Sequence, residues 1–347
     1  MKTFTSIIQI DKKRQLTDIE YSSSVISEIG FYVYDSTFRS LIGESPELQL
    51  VESRKFRFAH EAGVYHKETN SIYFTANFLS CDPVTLYRIN CSTFKIEELT
   101  YQQVIQANGA CQHRGNILYC SQGDFDNPSA LVEVEPVSGE SKVLINNFFG
   151  REFSSINDVV VHHETGDIWF TDPTYGFEQG FRRDAVLPNQ VYRFNPESGE
   201  LCVVADGFDM CNGLCFNEDY TKMYITDTGA IKIDKTTNQF GHNPKGPSAI
   251  YVYDVIGRKR LENRRLFAYC DDGVPDGIKS DQFGNIYSGC GHGIHVWRPD
   301  GVLIGKIVTG EVVANFCFSA EAIWIFSEYH LFRCKIQAQG ALVEIEC

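Results

Sequence analysis

Six residues recur at one point of a repeated pattern in this chain: Glu61, Asn108, Asn157, Asn212, Asp276 and Asn315. All six carry a carboxylate or an amide. Two carboxylates and several amide carbonyls brought to one point make a site for a hard divalent cation. Ca2+ takes oxygen ligands in loose geometry, and Mg2+ or Mn2+ accept the same donors. No imidazole stands at any of the six positions, which disfavours Zn2+ by ligand preference and leaves an oxygen-held Zn2+ as the alternative. The competing explanation is turn chemistry, in which Asn and Asp open strands by bonding local backbone groups. That accounts for several of the six but not for Glu61, because Glu is a poor turn former. A functional polar ring is the stronger reading.

The elements that position these residues repeat with them. Each heads a short apolar strand, followed by a turn rich in Gly, Asn, Asp or Glu and a second strand rich in β-branched and aromatic residues. Ile156-Asn157-Asp158-Val159-Val160-Val161 followed by Gly166-Asp167-Ile168-Trp169-Phe170-Thr171-Asp172 is one copy. Val274-Pro275-Asp276-Gly277-Ile278-Lys279 followed by Gly284-Asn285-Ile286-Tyr287 is another. A third strand follows each copy, at 86–89, 131–134, 191–194, 250–253, 294–297 and 331–334. Six such units predict an all-β fold, a single-domain six-bladed β-propeller. The expected boundaries are a loose N-terminal arm over 1–25 and the propeller over 26–347. A strand near 47–52 is expected to close the last blade. Residues 26–43 read as ordered, with strand and short helix both open. The long spans 176–189 and 229–248 are expected to rim the channel mouth.

In a propeller the innermost strands run beside the axis, so the six heads would face one tunnel. His60, next to Glu61, is kept as a pocket candidate. No GxSxG elbow and no phosphate-binding loop is present, and Gly289-Cys290-Gly291-His292-Gly293 does not open a predicted helix. The chain is 43% hydrophobic and 13% aromatic, enough for a large core, and its net charge of −14 with a pI near 5.1 argues against nucleic acid. The N-terminal segment lacks the apolar run of a signal peptide or a membrane span, so a cytoplasmic protein without membrane association is expected. No protein partner is evident. Twelve cysteines are present without a CxxC pair. Several lie in apolar strand-like runs, which favours reduced, buried thiols.

Four segments together resemble the SMP-30/gluconolactonase/LRE-like family. They are Glu61–Gly63; Ser155-Ile156-Asn157-Asp158-Val159 with Phe170-Thr171-Asp172-Pro173; Cys211-Asn212-Gly213-Leu214 with Thr226-Asp227-Thr228; and Val274–Ile278. The run Gly176-Phe177-Glu178-Gln179-Gly180-Phe181 is similar to fungal members. The resemblance spans about residues 58–336 and implies a six-bladed propeller with one divalent metal at the channel mouth. That metal is commonly Ca2+, with Zn2+ or Mn2+ also used. It implies Glu61, Asn212 and Asp276 as ligands, with Asn157 completing or adjoining the shell. The implied reaction is hydrolysis of a lactone, the metal polarising the carbonyl and activating water and Asp276 serving as ligand and base.

The chain departs from the family pattern around that shell. Ser155 stands where sugar-lactone members can carry an arginine, and Met210-Cys211 stands where a proline is common. Those departures imply a relatively apolar small-molecule substrate; the pocket candidates are His60, Asn108, Ser155 and Asn315. Some fungal relatives guide dehydration and hetero-Diels–Alder cyclisation of quinone methides, which is the second function expected of such a pocket. A binding propeller without chemistry is the third.

Overall fold

Strands such as Asp167–Asp172 are buried along their whole length. That pattern arises when a sheet is covered on both faces, so apolar residues need not alternate with polar ones. The structure, a computed structural model, describes residues 1–10, 28–79, 83–234 and 239–342. Six antiparallel sheets follow one another along the chain, as the repeat predicts. Blades 1 to 5 begin with the strands Glu61–His66, Ala107–His113, Val159–His162, Cys211–Phe216 and Ile278–Ser280. Blade 6 begins with Asn315–Phe318. A separate apolar cluster fills the seam between each pair of neighbouring blades, including the seam between blades 6 and 1, where Phe74 stacks on Phe326. Burial of these side chains, about 1.5–3 kcal/mol each, is what holds the ring together.

The outer strand of blade 6 is Glu47–Ser53, which pairs antiparallel with His330–Lys335. The first ten residues depart from the loose arm expected for 1–25. Lys2–Phe4 extends blade 6 beside Glu47–Ser53, and Ile7–Gln9 pairs in parallel with Gly30–Val33 on the outer edge of blade 5. The open hydrogen-bonding edges of those two blades explain this order, since an edge strand accepts another strand readily. The remainder of the predicted arm, 11–25, lies outside the described residues. The segment 28–43 contains both elements left open by its pattern, the strand Gly30–Val33 and the helix Ser36–Ile42. Asp35 caps that helix by accepting a hydrogen bond from Thr37 N at 2.8 Å.

Two devices fix the inner strands where the site forms. In blades 3 and 4 the second strand ends in Thr-Asp. Asp172 accepts the backbone N–H groups of Ser154 and Ser155, and Asp227 accepts those of Asp209 and Met210. Each Asp thus ties down the loop leading to the head residue of its blade. The threonines reach across to the next blade: Thr171 Oγ1 donates to Asn212 O at 2.7 Å and Thr226 Oγ1 to Asp276 O at 3.1 Å. The glycines after the heads have a packing cause. A Cβ on Gly213 would lie 2.5 Å from Asp276 O, and one on Gly277 would lie 2.4 Å from the Asn315 side chain. Gly213→Ala is expected to cost about 1–3 kcal/mol through this overlap and to displace the backbone of Asp276. A thermal melt paired with a Ca2+ titration checks both effects.

Candidate functional site

The inner strands surround a cavity of about 490 Å3 at one end of the channel. Five head residues line it: Glu61, Asn108, Asn157, Asn212 and Asp276. His60 joins them on its wall. The backbone is bent where three of the heads sit. Strand register slips at Glu61/Val64, at Cys211/Leu214 and opposite Ala107, and such bulges re-aim side chains. Ala62 has φ of 77° and Glu328, across the seam, φ of 55°. Left-handed backbone at non-glycine residues stores strain, and it falls here on both sides of the cavity.

Three oxygens aimed at this space are buried and have no hydrogen-bond partner among the described residues: Asn108 Oδ1, Asn157 Oδ1 and Asp276 Oδ1. An unsatisfied buried acceptor costs about 1–3 kcal/mol, so three around one cavity call for an external partner. Glu61 Oε2 accepts a hydrogen bond from Asn315 Nδ2 at 2.6 Å, and Asn212 Nδ2 donates to the Tyr175 hydroxyl at 3.1 Å. The second bond anchors the amide nitrogen and leaves the carbonyl oxygen as the donor available to a ligand. An all-oxygen set with two carboxylates fits a hard divalent cation.

The electrostatics agree with that fit. Burial, with the Glu61 carboxylate beside it, pushes the Asp276 carboxyl well above its ordinary value. Burial likewise raises Glu61, with Asp158 adding to the effect and His60 and the Asn315 hydrogen bond opposing it. A bound cation would remove the repulsion that keeps both acids from ionising together. His60 behaves differently. Burial works to lower its pKa, but Glu328, with Glu61 and Asp276 adding, outweighs burial and raises it to about 9. His60 Nδ1 lies 3.0 Å from Glu328 Oε1, and Asn77 Nδ2 donates to both Glu328 carboxylate oxygens.

Two predicted pocket residues stand elsewhere. Ser155 is fully buried outside the cavity wall, and its hydroxyl is consumed by donating to Pro173 O and accepting from Gly176 N, both at 2.9 Å. Its role is to hold the turn that starts the short helix Tyr175–Glu178. Asn315 is out of step with the other heads by one residue. Its Oδ1 accepts the following N–H, of Phe316, as Asp158 Oδ1 accepts that of Val159. It therefore stands behind the wall, where its Nδ2 holds Glu61.

The structure also adds residues absent from the sequence reading, among them Tyr175, Glu328, Asn77 and Arg57. Asn77 and Glu328 follow the second strands of their blades, a position whose polar character recurs in Thr228. Tyr175 stands immediately before the loop of 176–189 and its flagged glycine run. It lines the cavity beside Gln179 of that loop, while Ile231 lines it from the second long loop. Residues 235–238 of the second loop lie outside the described residues. No helix among the described residues is long and apolar enough to cross a membrane.

Six antiparallel blades, with a cavity at one end of the channel lined by converging oxygen donors, make this chain a six-bladed β-propeller. The SMP-30/Gluconolactonase/LRE-like region matches residues 60–326, and the chain belongs to that family. It is 29% identical over 341 residues to lactonohydrolase oryL of Aspergillus oryzae, covering 93% of this chain and 78% of that protein. A gluconolactonase structure from Xanthomonas campestris superposes with a TM-score of 0.72 at 23% identity, over 88% of this chain and 94% of that one. Regucalcin from Agrobacterium tumefaciens, a calcium-binding protein, superposes with a TM-score of 0.63 at 14% identity, over 84% and 94% of the two chains.

Proposed function

We propose that this protein hydrolyses a lactone, holding one divalent cation, Ca2+ before Zn2+, Mg2+ or Mn2+, among Glu61, Asn157, Asn212 and Asp276. The observation that carries the proposal is the set of buried, partnerless oxygens converging on one cavity in a chain related to a lactonohydrolase. Bound there, the cation supplies Lewis-acid polarisation of a carbonyl oxygen and a lowered pKa for water. Asp276 takes the proton of the attacking water. The water oxygen bonds to the carbonyl carbon, the ring C–O bond breaks, and the departing ring oxygen takes a proton from His60, held charged by Glu328. The product is the open hydroxy acid. Asp276 then releases its proton to solvent and His60 is reprotonated.

Tyr175, Ile231, Val312 and Tyr329 give the cavity apolar walls. With Ser155 buried behind the turn, nothing at that position reaches toward a sugar hydroxyl. The reading therefore favours lactones with an apolar body over sugar lactones. Proton release from a panel of alkyl, aryl and sugar lactones tests it. Turnover is expected with apolar lactones, lost in EDTA and restored by Ca2+. A cation-loaded protein that opens no lactone overturns the hydrolytic reading. Ring closure of an added quinone methide with stereocontrol by such a protein would favour the cyclase in its place.

A further inference from the structure

A second cluster of metal-ligating side chains lies in blade 5, outside the cation site. Cys270, Cys290 and His295 are each 1% exposed, and one ligand atom from each lies within 4.8 Å of the others. Cys270 Sγ is 3.8 Å from His295 Nδ1. A tetrahedral zinc with Zn–S of about 2.3 Å and Zn–N of about 2.0 Å would set sulfur and nitrogen roughly 3.5 Å apart, so the cluster needs only a small contraction. A fourth donor stands beside the cluster: Asp271 Oδ1 lies 3.4 Å from the same His295 nitrogen, and rotation of its exposed side chain would bring it to an ion. The side chain of Asp271 is 57% exposed, which gives an ion a route in from solvent. We infer that Cys270, Cys290, His295 and Asp271 form a structural zinc site that locks the loop leading to Asp276.

Comparison of the blades supports the inference independently. In blades 3 and 4 the last residue of the second strand is Asp172 or Asp227, whose carboxylate holds the loop before the head residue. Blade 5 has Cys290 at that place: Gly289 occupies the Thr171 position, since Asp276 N donates to Gly289 O as Asn157 N donates to Thr171 O. The loop that would have been tied by a carboxylate is the one carrying Cys270 and Asp271. A metal bridging Cys290 to both residues does the same work. The second ring nitrogen of His295 is buried without a hydrogen-bond partner, so no competing contact fixes that ring from its far side.

Charge favours the ion as well. Two thiolates, the Asp271 carboxylate, Zn2+ and the Lys306 ammonium sum to zero, and Lys306 Nζ already holds Asp271 at 2.8 and 2.9 Å. Binding expels the thiol protons to solvent. Thiolate ligands select zinc over the hard cations suited to the channel.

Cobalt titration of the full chain, reduced and stripped of metal, tests the site separately from the channel. One equivalent of Co2+ bound here is expected to produce a thiolate-to-cobalt charge-transfer absorption, bleached by Zn2+. Cys290→Ser is expected to lose the band, while Asp276→Asn, which alters only the oxygen-lined site, keeps it. His295→Gln provides a second readout should Cys290→Ser fold poorly, with the band weakened or shifted. A reduced, folded wild-type protein that shows no such band overturns the inference. So does a band that survives in both Cys270→Ser and Cys290→Ser.

Discussion

Asp276→Asn is expected to abolish lactone turnover, by roughly 10^2–10^4-fold for the lost base alone, and also to remove the response of the protein to Ca2+. At a hundred times its dissociation constant, a cation stabilises the wild type by about 2.7 kcal/mol. The variant should gain far less. The sign reverses without metal. The folded-state pKa of Asp276 is raised, by burial and then by Glu61. The native state therefore binds more protons than the unfolded chain above about pH 4, and metal-free stability falls as pH rises toward the folded pKa. Asn carries no charge, so the variant in EDTA should melt above the wild type at neutral pH, and the two curves should approach each other near pH 4. Melting scans with EDTA and with excess Ca2+, across that pH range, check both halves. Equal Ca2+ stabilisation of the two proteins would remove Asp276 from the shell.

How much of this was legible in the sequence depended on repetition. The head residues and third strands could be aligned because each blade repeats one strand grammar, and the six seams demand the same apolar phase. Asn315 shows where the method slips. Its type matched the heads, but one residue of register decides whether a strand side chain faces the channel or a neighbouring strand. Only the Phe316 N–H bond reveals the difference. Ser155 failed for a related reason: a hydroxyl near a site is as readily spent on backbone groups as on substrate, and here Pro173 O and Gly176 N take it. Glu328 and Tyr175 lie in connections outside the strand pattern, so no periodicity marked them. Cys270, Cys290 and His295 come from three segments whose proximity depends on the pairing of blade 5, and spacing rules for metal motifs could not join them.

The second large effect concerns the proton on His60. Glu328→Gln removes the charge that contributes most to holding His60 near 9, while Gln can keep a hydrogen bond with Asn77. With the cation bound, the charges of Glu61 and Asp276 are neutralised, so little remains to hold the imidazole above its ordinary value of about 6.5. In the cation-loaded wild type Glu328 still raises His60, so kcat should hold to a pH above the ordinary imidazole range, no higher than about 9, and be lost above it as the proton donor is titrated away. In Glu328→Gln that limb should move down by up to about two and a half units, leaving activity at pH 8 lower by at most roughly thirty-fold and recovering toward pH 6. Stability should follow the same sign. A raised His60 contributes stability that is complete below about pH 6.5 and lost as pH rises through the folded value, so the variant should be weaker than the wild type at pH 6 and converge with it near pH 10. The kcat–pH profile is the deciding measurement, because loss of a purely structural contact would lower the curve without moving its limb. An unmoved limb would exclude His60 as the proton donor and leave the ring oxygen to be protonated by water.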